Sequence, residues 1–228
     1  MIPLQRHTLC WLKPSALEGI TVQLDHTFSA LPASLRQQTR EYLLSGSLPG
    51  IVRRGERRNE LIPIGFCFPL RWQGQRLRLA TKVALSAITR TSTPEQTAYL
   101  PAAGFTDAIR AFNTLAQGWC WPEIQLGVWG SVALEIVTPW QWTDTHSDLD
   151  IRLIPDALLD LKKCWTSVCD TERQFQLRID GEIRLSDGYA INIKEWFSGS
   201  STLLAKGESD VQLRTRQQVT TLMRTSFC

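Results

Sequence analysis

The sequence predicts a mixed fold class, α+β grading into α/β: a small N-terminal mixed α+β module, then a C-terminal domain with a mixed sheet flanked by helices. Three observations predict it. The 228 residues suit one or two domains, since a domain commonly runs to roughly 100–200 residues. After residue 100 the pattern reads strand, turn, helix, long loop, strand, helix and hairpin, an α/β order around a mixed sheet. Charge is also split: residues 1–100 hold 13 Lys+Arg against 6 Asp+Glu, whereas 101–228 hold 12 against 16. A basic half joined to an acidic half points to two jobs. Basic surface attracts phosphates or acidic proteins, and clustered carboxylates suit a divalent cation.

Composition excludes several classes. With 43% apolar and 21% charged residues, 14 Gly and 11 Pro, collagen, coiled coil and wholesale disorder do not fit. The longest run without Asp, Glu, Lys or Arg is Ala111 to Pro122, 12 residues, short of the roughly 18–20 a membrane-spanning helix needs. The opening MIPLQRHTLCWLKP has no long apolar run followed by small residues, so no secretory signal is expected. The six cysteines include no paired metal-ligand spacing. They read as buried, reduced thiols, and the expected location is the cytoplasm.

In chain order, Ser34 to Leu44 reads as a short helix ended by Ser45–Gly50 (SGSLPG). Strand-like runs follow at Gly50–Arg53, Leu61–Leu70 and Arg76–Lys82, with a hairpin turn at Gln73-Gly74-Gln75. The polar, proline-bounded stretch Ile88–Pro101 reads as a linker, giving a basic module over 1–90, a linker over 91–101 and a second domain over 102–228. Thr106–Leu115 reads as a helix with Ile109, Phe112 and Leu115 on one face. Ile124–Trp129 reads as a buried strand, Ser131–Val137 as a helix and Leu149–Ile154 as a strand. Pro155–Asp170 reads as a helix opened by its proline and carrying Leu158 and Leu159. Phe175–Leu185 reads as a strand, Asp187-Gly188 as a hairpin turn before Tyr189–Trp196, and Leu203–Lys206 with Val211–Arg214 as a last strand pair. The glycines of a dinucleotide-binding GxGxxG turn are missing.

Two features within Gly127–Ile154 carry chemistry. Gly130-Ser131 stands between an apolar strand and a helix. Glycine lets a ligand approach the backbone closely, free N–H groups at a helix start cradle phosphate, and serine adds a hydroxyl. Asp148-Leu149-Asp150 opens an apolar strand, where positions i and i+2 point to one side. Their carboxylates converge, while Leu149 and Ile151 face the core. Mg²⁺ favours such oxygen donors and relieves their repulsion. Taken singly, each feature also fits a plain capped turn or a solvated strand end.

Together, on strand–turn–helix–loop–strand, they resemble the DNA polymerase beta-like nucleotidyltransferase superfamily, which implies a nucleotidyltransferase-like C-terminal domain and a third carboxylate on a neighbouring strand. Asp180 in Arg178-Ile179-Asp180-Gly181-Glu182 is the expected third, with Glu182 as runner-up. RHTLCWLKP, LPGIVRR, GFCFPL, RLRLATK, HSDLDIRL, RIDGEI and LLAKG extend the resemblance over nearly the whole chain, to the malonate decarboxylase holo-acyl-carrier-protein synthases, also called phosphoribosyl-dephospho-CoA transferases. Two departures stand out. The Gly130–Asp148 interval is longer than in compact superfamily members, and LLAKG replaces a valine-lysine-serine type of run.

The resemblance implies transfer of the phosphoribosyl-dephospho-CoA group from 2'-(5''-triphosphoribosyl)-3'-dephospho-CoA to a serine of the apo acyl carrier subunit of malonate decarboxylase, with diphosphate leaving. Asp148, Asp150 and Asp180 would hold Mg²⁺, Asp180 would help deprotonate the serine, and Gly130 and Ser131 would hold the terminal phosphates. Lys206 either neutralises diphosphate or is a solvated lysine. No nucleic acid and no membrane are expected as partners. The run Arg53-Arg54-Gly55-Glu56-Arg57-Arg58 fits a solvated loop, or docking of an acidic carrier protein or of the phosphorylated donor. Five of the nine tryptophans lie within residues 119–142; Trp140 and Trp142 either pack a core or stack on the donor. His146 reads as a structural or exposed loop residue that the chemistry does not need. Two other functions stay open: a polymerase-beta-like transferase that uses ATP, and a non-enzymatic basic binding module.

Overall fold

The computed structural model describes residues 4–57, 59–155 and 161–224. The chain divides into two compact units, Met1–Thr93 and Pro94–Cys228.

In the first unit, among the described residues, β1 (Leu9–Leu12), β2 (Gly50–Val52), β3 (Leu61–Trp72), β4 (Gln75–Ala84) and β5 (Ile88–Ser92) form one sheet in the order β4-β3-β2-β1-β5. Each neighbouring pair is antiparallel. Helices α1 (Pro14–Thr27) and α2 (Ala33–Leu44) pack on it, α1 against β4 and α2 against β3. Alternation decides the buried face: Ile62, Ile64, Phe66 and Phe68 of β3 are buried, and Leu77, Leu79 and Val83 of β4 join them. Phe28, just past α1, meets Phe68 edge to face at 5.9 Å. The β3–β4 hairpin closes at Gln73 and Gly74, both with positive φ, as a two-residue hairpin turn requires.

Part of the expected linker is strand. Ile88–Ser92 is β5, hydrogen-bonded along β1. Its polar alternation suits an edge strand with one solvated side, which composition alone does not separate from a linker.

In the second unit, α3 (Pro94–Ala98), α4 (Asp107–Gln117), α5 (Gly130–Val137), α6 (Leu161–Phe175), α7 (Ile193–Phe197) and α8 (Arg216–Arg224) accompany strands β6 (Ile124–Trp129), β7 (Leu149–Pro155), β8 (Ile179–Arg184), β9 (Ala190–Asn192), β10 (Thr202–Lys206) and β11 (Val211–Thr215). The sheet order is β11-β10-β9-β8-β7-β6. Among the described residues only β7 and β8 run parallel, and α6 lies in their crossover, as a parallel pair requires. One sheet face buries Leu149, Ile151, Leu153, Ile179 and Ile183 against Ile109, Phe112, Cys164 and Val168 of the helices. The opposite face carries the polar members of the same strands.

Three expected elements shift. Pro155 ends β7, paired with Ile124, instead of starting a helix; at a strand end its missing N–H costs little. Leu158 and Leu159 lie outside the described residues. Helix α6 runs on through Phe175, because Cys164, Val168 and Thr171 keep a helical buried stripe, and it stops where Gln176 turns to φ 51°. The expected strand Tyr189–Trp196 is cut at Asn192, whose side chain accepts the N–H groups of Lys194 and Glu195 and caps α7.

Candidate active site

The site is built on β6, α5, β7 and β8. Strand β6 delivers the chain to Gly130, which has φ +71°. A β-carbon there would stand 2.1 Å from Oδ2 of Asp150. Only glycine satisfies both the left-handed backbone and the close approach. Helix α5 starts at this residue with no side-chain cap on its first N–H groups. Those donors, with half-buried Ser131 beside them, make an anion-binding end next to a carboxylate.

Strand register sets the carboxylates. Asp150 pairs with Trp129 of β6 on one side and Asp180 of β8 on the other. Asp148 is exposed and directly precedes β7, while Leu149 between them is fully buried, so the two acids share the face away from the core. Burial first, then repulsion from Asp180, Asp148 and Glu182, pushes the Asp150 carboxyl up to about 7. Arg178 partly offsets this: its guanidinium is 2.9 Å from Oδ1 of Asp180.

The donor set is all carboxylate oxygen, which suits Mg²⁺. Among the described residues no three His, Cys, Asp or Glu groups are spaced to enclose one ion. The fit is therefore to an ion held first by a carboxylate pair, with water, substrate phosphate and a further carboxylate completing the shell.

Glu182 lies at the edge of this cluster, close enough to repel the Asp150 carboxylate. Glu182 lies one pleat further along β8, is buried, and has Lys206 at 3.5 Å. Lys206 is thus placed as a partner of that buried acid. His146 sits exposed in a turn, its N–H donated to Asp144. Trp142 is buried and donates its ring N–H to Thr138 at 2.7 Å, which makes it a core side chain; stacking on a donor is overturned for this residue. The loop around it is held by Glu135, which accepts the backbone N–H groups of Trp142 and Thr143. Trp140 lines a cavity of about 670 Å³ with Phe105, Ile136 and Pro139. The described cysteines are free; Cys10 and Cys164 are buried as expected, but Cys67 and Cys169 are half-buried and Cys120 is exposed. Cys228 and Arg58 lie outside the described residues.

Sequence reasoning missed three side chains. Arg178 is on the strand face of Asp180, and the i, i+2 rule applied to RID finds it. Glu95 and Arg152 form a buried bidentate pair at 2.7 and 2.6 Å. Glu95 comes from α3, inside the stretch read as linker. Helix α3 can lie on β6 because Gly127 carries no β-carbon, which would be 2.8 Å from Oε1 of Glu95.

Family profiles cover both units. Residues 96–217 match "Phosphoribosyl-dephospho-CoA transferase MdcG C-terminal domain" and 5–94 match its N-terminal domain. The chain belongs to the phosphoribosyl-dephospho-CoA transferase family. As a member it is a transferase enzyme of that prosthetic-group chemistry. A phosphoribosyl-dephospho-CoA transferase of Xanthomonas axonopodis pv. citri is 27% identical over 218 residues, covering 92% of this chain and 94% of the relative. One from Pseudomonas fluorescens is 26% identical over 215 residues, covering 89% and 91%. One from Bradyrhizobium diazoefficiens is 31% identical over 96 residues, 42% of each chain. No solved structure matches the chain significantly. No helix among the described residues is long and apolar enough to cross a membrane.

Proposed function

We propose that this transferase moves the phosphoribosyl-dephospho-CoA group from 2'-(5''-triphosphoribosyl)-3'-dephospho-CoA to a serine of the apo acyl carrier subunit of malonate decarboxylase, in a Mg²⁺-dependent reaction that releases diphosphate. The carrying observation is the Gly130 bend pressed against Asp150, which in turn lies in register with Asp180. An anion-binding helix start and a carboxylate pair at contact distance are what cleavage of a phosphoanhydride demands.

The residues divide the work. The backbone N–H groups at Gly130 and Ser131, with the Ser131 hydroxyl, hold the terminal phosphates of the donor. Asp148 and Asp150 hold Mg²⁺, with Asp180 closing the set; once bound, the ion neutralises charge on the triphosphate. The serine oxygen then attacks the α-phosphorus in line. A serine O–P bond forms, the bond to the bridging oxygen breaks, and diphosphate leaves with that electron pair. Asp180 takes the serine proton. Asp180 is a better third carboxylate than Glu182, since Glu182 is buried beside Lys206 while Asp180 faces Asp150.

The test is an incubation of the chain with Mg²⁺, the triphosphoribosyl donor and apo carrier, followed by intact masses. The expected result is a carrier heavier by one phosphoribosyl-dephospho-CoA group, with diphosphate released. A gain of a nucleotide monophosphate from ATP would support the ATP-using reading. A carrier whose mass never changes under any donor supports a binding module.

A further inference from the structure

The cavity that Trp140 lines holds a hydrogen-bond acceptor that the fold leaves unused. Gly104 and Phe105 before α4, Glu135 and Ile136 near the end of α5, and Trp140 and Thr145 of the loop that leads to β7 form its wall. Glu135 is fixed there. Its Oε2 accepts the backbone N–H groups of Trp142 at 2.8 Å and Thr143 at 2.6 Å, and the Thr143 hydroxyl at 2.7 Å. Among the described residues nothing donates to its Oε1. That oxygen lies beside Gly104, where a β-carbon would stand 2.9 Å from it. Both residues line the cavity, so a held carboxylate oxygen stands at its wall with lone pairs to spare.

The rest of the lining sets the class of ligand. No Lys, Arg or His among the described residues lines the cavity, so phosphate does not suit it. The other carboxylate at the wall, Asp107, is taken up by Arg110. Phe105 is 96% exposed, an aromatic ring standing in water, and half-buried Trp140 lines the same space. Rings with a few placed polar groups, around a volume of about 670 Å³, are the usual make-up of a small-molecule site. The rings suit a flat partner, and the carboxylate oxygen suits an N–H donor. A neutral heterocycle with an exocyclic amine meets both demands, and adenine is such a ring.

The reach fits as well. Ile136 is six residues along α5 from Gly130, about 9 Å along the helix axis. Thr145 is three residues from Asp148, at most about 11 Å of chain. The donor places two pentose rings between its reacting phosphorus and its adenine, a comparable span.

We propose that this cavity is the adenine site of the donor: the base lies against Phe105 and Trp140 and gives its exocyclic N–H to Oε1 of Glu135. The inference rests on the donor named above and adds where its base sits. Hypoxanthine, with oxygen in place of that amine, would set one acceptor against another, and a site built for a donor rejects it.

The test titrates the full chain by calorimetry with dephospho-CoA, with its deaminated form carrying hypoxanthine, and with pantetheine. The chains are wild type, Phe105→Ala, Glu135→Gln and, as a control, Tyr99→Ala. Tyr99 is 86% exposed and does not line the cavity. Wild type and the control should bind dephospho-CoA at least about tenfold tighter than the deaminated form. Phe105→Ala should weaken dephospho-CoA about tenfold, the worth of one stacked base, and keep its melting temperature because the ring is exposed. In Glu135→Gln the three donors hold the amide oxygen at the Oε2 position, so the NH₂ group replaces Oε1. The preference between the two bases should then shrink or reverse. Wild type that binds both forms within about twofold overturns the adenine site. So does a Phe105→Ala chain that binds dephospho-CoA like wild type, or pantetheine binding that Phe105→Ala abolishes. Transfer to the carrier with a donor KM unmoved by either substitution removes the cavity and keeps the functional reading. A chain that tells the two bases apart yet never modifies the carrier keeps the cavity and removes that reading.

Discussion

Oδ2 of Asp150 stands 2.1 Å from where residue 130 would carry a β-carbon, so the glycine and the carboxylate fit only as a pair. The Gly130 bend and the start of the strand that carries Asp150 are thereby held in contact, without a side chain between them. This is the preorganisation on which charge-stabilising catalysis depends.

Replacing Gly130 with Ala strains the backbone at φ +71° and pushes on Asp150 at once. A displacement near 1 Å at a reacting centre costs on the order of a hundredfold in rate. Gly130→Ala should therefore lose about that much transfer activity while keeping its circular dichroism spectrum. Wild-type turnover in this variant would dissolve the link between bend and site.

Asp148→Ala and Asp180→Ala should each lower transfer by at least about a hundredfold. Binding of Mn²⁺, followed by its electron spin resonance signal, should weaken in both. Glu182→Gln should leave Mn²⁺ binding near wild type, because Glu182 is taken up by Lys206. If Glu182→Gln lowers Mn²⁺ binding and Asp180→Ala does not, the third carboxylate is Glu182.

The Asp150 carboxyl has an ordinary value of 3.8 and is pushed to about 7 in the folded protein, by burial first and neighbouring carboxylates second. Between these values the folded chain holds a proton that the unfolded chain has released, so stability falls as pH rises through that window and is flat above it. Melting temperature from pH 5 to 8 should drop more in metal-free wild type than in Asp150→Asn. Added Mg²⁺ should flatten the wild-type slope, since a bound cation stabilises the ionised form. Parallel slopes for wild type and Asp150→Asn would rule out this placement of the charge.

Glu95→Ala would take the bidentate carboxylate away from the buried Arg152 guanidinium. Breaking such a pair costs about 3–5 kcal/mol, and denaturant titration should show it as a lower midpoint. Combining Glu95→Leu with Arg152→Met should recover most of the loss, because a buried ion pair and a packed apolar pair of similar volume differ little. Equal loss in the single and double variants would show that α3 is held by other contacts.

The strands that carry the site were readable in the sequence because their chemistry is local. Leu149 and Ile151 alternate with Asp148 and Asp150, and a period of two places the acids on one face wherever the strand lies. Gly130-Ser131 between an apolar strand and an apolar helix was readable for the same reason. The ends of helix α6 and the cap at Asn192 were misplaced because local patterning fixes an element's ends less sharply than its middle. β5 and α3 were hidden in a polar, proline-marked stretch whose partners, β1 and β6, are distant in sequence.

Residue order alone settled which groups could act: paired acids, a glycine bend and a basic first half. Only the folded sheet decided which of them meet. The parallel register set Asp180 beside Asp150 and Glu182 beside Arg152, and the fold brought Lys206 within 3.5 Å of Glu182. Side-chain direction along a strand follows from sequence spacing, but the neighbour across the sheet depends on pairing between segments tens of residues apart, and no local pattern encodes that.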